Sequence, residues 1–103
     1  MNDKNTHEII FNNQELQLTS RSIKSISHPL RLKILCLLNQ DERCVQDIVE
    51  YVGTSQSNVS QHLSILRDKN ILKSRKEANR IFYQIKDKRT VTLIKLLRES
   101  FCT

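Results

Sequence analysis

Three cysteines, three histidines and one run of hydroxyl and amide side chains are the groups in these 103 residues that could do chemistry. Cys36, Cys44 and Cys102 are too few and too scattered for the disulfide framework of a secreted domain. Two of them could form a thiol switch, and two or more thiolates or imidazoles that converge could hold a soft metal. His7, His28 and His62 share no helix face, so they do not form such a set by themselves. There is no glycine-rich phosphate loop, no supported carboxylate pair and no nucleophile–base arrangement, so an enzyme is not expected, nor a resident cofactor. The polar run is Ser55-Gln56-Ser57-Asn58 followed by Ser60-Gln61-His62. Gln and Asn can form paired hydrogen bonds to adenine, and Ser can reach bases or phosphates. Read blandly, the run is a polar helix face turned to solvent.

Charge separates these two readings. The chain carries 17 basic and 11 acidic residues, +6 in all. Residues 1–53 hold 6 basic and 7 acidic groups, whereas residues 54–89 hold 9 basic and 3 acidic groups. The excess therefore falls on the segment that contains and follows the Ser/Gln run. Its cations are Arg67, Lys69, Lys73, Arg75, Lys76, Arg80, Lys86, Lys88 and Arg89. A basic cluster beside an uncharged, base-sized helix face is the electrostatic footprint of nucleic-acid binding, with cations on the phosphates and amides on the bases.

The elements that must position these groups follow from periodicity. One Gly and one Pro argue against a turn-rich sheet protein and for a mainly helical chain. Leu16, Ile23 and Ile26 suggest a helix within residues 7–26, its start undefined. Ser27-His28-Pro29 marks a boundary, with Pro29 at the first helical position and Ser27 or His28 as cap. The next helix runs from Pro29 to Asn39, with Leu30, Ile34, Leu37 and Leu38 in one stripe and Cys36 beside Leu32 on a second face. Val45, Ile48, Val49 and Val52 form a short helix ended by Gly53. Thr54-Ser55 caps a helix from Gln56 to about Asp68, with Val59, Leu63 and Leu66 inward. The period then becomes two, predicting strands at Leu72–Lys76 and Arg80–Ile85. Ile81, Tyr83 and Ile85 share one face of the second strand. Glu77-Ala78-Asn79 forms the hairpin, with Asn79 taking the left-handed conformation. Asp87 caps a last helix to about Cys102, whose stripe is Leu93, Ile94, Leu97 and Phe101. The fold class is mainly α with a two-stranded β wing, a single domain over residues 1–103 in which residues 1–12 are expected to be disordered. Apolar residues make up 38% of the chain, so the core is modest and a second copy would help complete it. No apolar run approaches the length of a bilayer span and no signal-peptide core is present, which predicts a cytoplasmic protein with reduced thiols and no membrane partner.

Ser27-His28-Pro29-Leu30-Arg31-Leu32, the string from Thr54 to Leu63, and Arg80-Ile81-Phe82-Tyr83 resemble the ArsR/SmtB family of winged-helix transcriptional repressors. The resemblance spans about residues 20–102. It implies a homodimer built from the first and last helices, bound to twofold-symmetric, double-stranded operator DNA and released by a small inducer. Carried over position by position, the DNA-binding residues would be Ser55, Gln56, Ser57, Ser60, Gln61 and His62, with Arg75, Lys76 and Arg80 in the wing. His62, beside Leu63, would face partly inward, making a hydrogen bond to DNA or within the chain. His28 would cap or pack.

The inducer is read from the cysteines. One metal site of the family uses Cys-x-Cys entering the third helix, and here the second thiol is replaced by Gln46 after Cys44. Another uses Asp and His on the last helix, which here has no His. Cys36 and Cys102 instead resemble the redox-sensing pair of the dithiol, SqrR/BigR/HlyU-like branch. There oxidants or reactive sulfur join the two thiols by a disulfide or polysulfide bridge. In a reducing compartment such a bridge reports a change in conditions. By the residues alone, each cysteine could equally be an inert core thiol. The reading that follows is a repressor released by oxidation or persulfide modification of Cys36 and Cys102, by a small thiol-reactive inducer. A repressor responsive to thiophilic metal through Cys44 is the alternative, and a winged-helix module used only for protein contacts is a third.

Overall fold

The computed structural model describes residues 10–39 and 41–102. Helix α1 (Asn13–Ile26) starts at a reciprocal cap: the Asn12 side chain accepts from the Glu15 N–H at 2.8 Å, and the Glu15 carboxylate accepts from the Asn12 N–H at 2.9 Å. Two backbone donors that the first turn leaves over are thereby satisfied. The earliest part of the helix expected within residues 7–26, and most of the expectation for residues 1–12, lie outside the described residues.

Helix α2 (Pro29–Leu38) is capped by His28, whose Nδ1 accepts from the Leu30 N–H at 3.1 Å. Capping fell to His28 rather than Ser27 because Ser27 closes α1, its N–H donating to the carbonyls of Ile23 and Lys24. Strand β1 (Arg43–Cys44) leads into α3 (Val45–Val52), and Gly53 ends α3 at φ +80, a left-handed conformation that glycine adopts without strain. Ser55 caps α4 (Gln56–Asp68) through its hydroxyl oxygen, which accepts from the Asn58 N–H at 3.1 Å. Strands β2 (Leu72–Glu77) and β3 (Arg80–Ile85) pair antiparallel from Leu72 with Ile85 to Glu77 with Arg80. Asp87 caps α5 (Lys88–Phe101) by accepting from the Arg89 N–H at 2.8 Å. Arg89 holds the Asp87 carboxyl at about 2, first by its side-chain hydrogen bonds and then by that backbone bond.

Several details depart from the sequence expectation. The sheet has three strands, ordered β1-β3-β2, because Arg43 and Cys44 pair with Tyr83 and Phe82. A two-residue strand has no detectable alternation, so its existence depends on a partner strand far along the chain, Arg43 pairing with Tyr83 and Cys44 with Phe82. In the hairpin the left-handed residue is Ala78, at φ 55, and not Asn79. The strand register leaves Ala78 and Asn79 as a two-residue loop, and a positive φ confined to the first position matches the strand twist. Finally, Leu35 is fully buried although it lies outside the expected α2 stripe.

The core gathers Ile34, Leu35 and Leu38 of α2, Ile48 of α3, and Val59, Leu63 and Leu66 of α4. Leu72, Tyr83, Ile85 and Ile94 close it from the sheet and α5. α2 meets both helices of the helix–turn–helix and also β3, which is why its buried face is wider than one stripe. Of the stripe expected on α5, only Ile94 is buried; Leu93 and Phe101 are 41% and 80% exposed. Leu16 and Ile23 of α1 are exposed as well. Among the described residues no helix is long and apolar enough to cross a membrane.

Candidate nucleic-acid interface and thiol site

The helix–turn–helix is held by α2 packing against both α3 and α4, and the inward side of α4 is fixed by three fully buried residues, Val59, Leu63 and Leu66. Burying that side turns the opposite one outward. Gln56, Ser57 and Gln61 are exposed there and Ser60 is half-buried. Ser55 is exposed too, but its oxygen already serves the helix cap, leaving its O–H free to donate. The N-terminal turn of α4 contains no carboxylate, so its unpaired N–H groups present partial positive charge.

His62 does not share that outward face. It is buried, and its Nδ1 accepts a hydrogen bond from Arg31 Nε at 3.1 Å. Arg31 Nη1 donates in turn to the Ser25 carbonyl at 3.1 Å, and the His28 ring lies 4.5 Å from that of His62. The cluster ties the end of α1 and the start of α2 to the middle of α4. Of the two hydrogen bonds open to His62, the one within the chain is made. Burial, followed by the charges of His28 and Arg31, pushes the His62 pKa down from its ordinary value, so the neutral ring is favoured.

In the wing, Lys73, Lys76 and Arg80 are exposed. Arg75 is engaged. Its Nε and Nη2 both donate to Glu42 at 2.8 Å, Nη1 donates to Glu77 at 2.6 Å, and the guanidinium lies 4.6 Å from the centre of the Phe82 ring. These bonds hold the Glu42 carboxyl below the usual carboxylate range and raise Arg75 further. A bidentate pair of this kind anchors the base of the wing to the segment before β1. Nothing in the sequence pattern marks Glu42 as its partner, since the two lie 33 residues apart.

Cys36 and Cys102 are both free and exposed, and Cys44 is buried. The two exposed cysteines line one cavity of about 300 Å³ between α2 and α5, with Leu32, Ile94, Leu97 and Phe101. Cys102 is held at the end of α5 by its N–H, which donates to the Arg98 carbonyl at 2.8 Å. Two thiols at one cavity can react in sequence with the same sulfur electrophile. Cys44 faces the β3 register at Phe82. Among the described residues no group of three or more His, Cys, Asp or Glu side chains is placed to hold a metal ion. Arg98 also lines the thiol cavity and was not singled out by the sequence; its place four residues before Cys102, in the last turn of α5, was the available signal.

With this geometry in hand, known proteins show what the chain is similar to. Residues 28–74 match the family described as bacterial regulatory protein, arsR family. A biofilm growth-associated repressor of Xylella fastidiosa is 33% identical over 81 residues, 79% of this chain and 71% of that protein. The transcriptional activator HlyU of Vibrio cholerae is 34% identical over 96 residues, 89% of each chain. A solved structure of HlyU from the same species superimposes with a TM-score of 0.83 at 30% identity, covering 89% of this chain and all of that one. A homodimeric winged helix-turn-helix DNA-binding domain from Mycobacterium bovis superimposes with a TM-score of 0.79 at 26% identity, covering 89% and 88%.

Proposed function

Because the chain belongs to the arsR family of bacterial transcriptional regulators, we propose that it represses transcription as a homodimer on operator DNA and lets go when Cys36 and Cys102 are linked. The observation that carries the thiol part is the shared cavity: two exposed cysteines, 66 positions apart, line one space between α2 and α5. α2 packs on α4, which carries Gln56, Ser57, Ser60 and Gln61. A bridge from α2 to α5 therefore constrains the reading helices relative to the dimer. The dimer contact is assigned to α1 and α5 on their exposed Leu16, Ile23, Leu93, Leu96 and Phe101, and on the homodimeric relative from Mycobacterium bovis. Twofold symmetry then presents two α4 helices to half-sites about one helical turn apart. A linked state that binds DNA about a hundredfold more weakly, a coupling of about 2.7 kcal/mol, is enough to clear an operator held near its Kd.

In this reading Gln56, Ser57, Ser60 and Gln61 read base edges, Ser55 and the wing cations Lys76 and Arg80 hold phosphates, and Arg75 and His62 act from behind by fixing the wing and α4. The buried Cys44 favours the dithiol over a metal site built on that thiol.

The test pairs thiol chemistry with DNA binding. A duplex selected from a random pool by the reduced protein serves as operator. Treatment with inorganic polysulfide should join Cys36 to Cys102 within one chain, seen by peptide mass, and weaken binding at least tenfold. Cys36→Ser should bind the duplex as tightly as the parent and ignore the polysulfide. A Cys36→Ser protein that is still released as fully as the parent would falsify the dithiol switch.

A further inference from the structure

Three neighbouring cavities follow the side of the molecule that holds Cys36 and Cys102, and Arg98 lines all three. The first is the apolar space described above. A second, about 110 Å³, brings Lys95 and Arg98 to Cys36. A third, about 390 Å³, brings Lys95, Arg98 and Glu99 to Cys102. The rim of the thiol site thus carries two cations against one carboxylate. Lys95 and Arg98 fall at i and i+3 on one face of α5, and Cys102 follows at its C-cap. Neither Lys95 nor Arg98 has an ion-pair partner among the described residues, whereas Arg75 and Arg89 are tied to carboxylates. Their charge is therefore available to a reagent that enters the thiol cavity.

We propose that Lys95 and Arg98 form an anion subsite that directs the dithiol toward sulfur electrophiles carrying negative charge, specifically disulfides of carboxylate-bearing thiols. The proposal rests on the dithiol reading above and adds the class of reagent. The Cys36 thiolate attacks one sulfur of R–S–S–R; the Cys36–S–S–R bond forms, the S–S bond of the reagent breaks, and one RS⁻ leaves. The Cys102 thiolate then attacks the Cys36 sulfur, forming the Cys36–Cys102 disulfide and expelling a second RS⁻. The protein dithiol loses two electrons and the reagent gains them; the two thiol protons pass to solvent or to the departing thiolates. Both steps put negative charge on the leaving sulfur, beside whatever carboxylates R carries. Two adjacent cations favour entry of the anion and departure of the thiolate, while the apolar wall of Leu32 and Leu97 accepts the rest of R.

Three disulfides of different charge test it on the full chain, each rate taken relative to that of a small free thiol with the same reagent so that their unequal leaving groups cancel: dianionic dithiobis-nitrobenzoate, neutral dithiodipyridine and dicationic cystamine. Rates at Cys36 and Cys102 are followed by peptide mass. In the Lys95→Gln, Arg98→Gln double variant, the ratio of the dianion rate to the dication rate should fall by about tenfold, with the neutral rate within about twofold of the parent. In the unmodified chain, raising salt from about 20 to about 500 mM should slow the dianion, speed the dication and leave the neutral reagent unchanged, which checks the charge effect without any variant. A rate ratio that survives both the double variant and high salt overturns the subsite, and so does an equal slowing of all three reagents. DNA binding separates the two levels. If the ratio falls as expected but the bridged protein still holds its duplex, the subsite stands and the switch fails. If bridging releases DNA but charge makes no difference, the switch stands and the subsite fails.

Discussion

Removing one wing cation at a time should divide the cations that meet phosphate from the one that holds the wing. Arg80 is exposed and has no ion-pair partner among the described residues, whereas Arg75 donates three hydrogen bonds to Glu42 and Glu77. If each protomer offers about four phosphate contacts, a dimer makes about eight, and log K falls with log salt at a slope of about −7. Arg80→Gln removes one contact per protomer, two per dimer, and should relax the slope to about −5.4. Between about 50 and 200 mM salt the parent then loses about four decades of affinity and Arg80→Gln about three. The Glu42→Gln, Arg75→Gln double variant removes one charge of each sign from a pair that is already satisfied. It should keep the parental slope within about 0.5 while weakening binding at every salt concentration, because the wing loses its anchor. Fluorescence anisotropy on a labelled duplex, titrated at four or more salt concentrations, gives both slopes. A parental slope in Arg80→Gln, or a larger change in the double variant than in Arg80→Gln, would refute the division of labour in the wing.

Two further outcomes follow from the interior and the hairpin. His62 has a folded-state pKa below the ordinary 6.5, first through burial. Between those two values the unfolded chain binds more protons than the folded one, so stability rises with pH across that window and is lost as pH falls below 6.5 toward the folded value. Thermal melts at about pH 7.5 and about pH 5.5 should show a larger acid loss in the parent than in His62→Gln; equal losses would assign the acid sensitivity elsewhere. Ala78 holds φ 55, a conformation that costs an L-residue energy and glycine none. After the extra entropy of an unfolded glycine is set against that strain, Ala78→Gly should stabilise the protein by about 0.5–1 kcal/mol, a rise of about 3–6 °C in Tm; a lower Tm would mean that the turn carries no strain.

Much of the helix–turn–helix and the hairpin is legible in the sequence because its signals are local. Gly53 ends α3, Ser55 caps α4, Asp87 caps α5, and the period of two after Asn70 announces the hairpin. Each depends on residues within a turn of one another. The uncharged outer face of α4 followed from the inward spacing of Val59, Leu63 and Leu66. The resemblance to dithiol repressors singled out Cys36 and Cys102, which composition alone left as two core thiols among three.

What the sequence determined by itself, then, was the order of the elements, the caps between them and the concentration of positive charge on α4 and the wing, since backbone preference and net charge are summed over neighbours along the chain. What only the tertiary structure decided were pairings across distance: β1 with β3, Arg75 with Glu42, Arg31 with His62, and two cysteines with the same two cations at one end of α5. A cation looks the same in sequence whether it is spent on a carboxylate 33 residues away or left open to a ligand. The difference lies in which surfaces the packed helices bring together, because an ion pair or a shared cavity depends on a few ångströms of separation that no local spacing encodes.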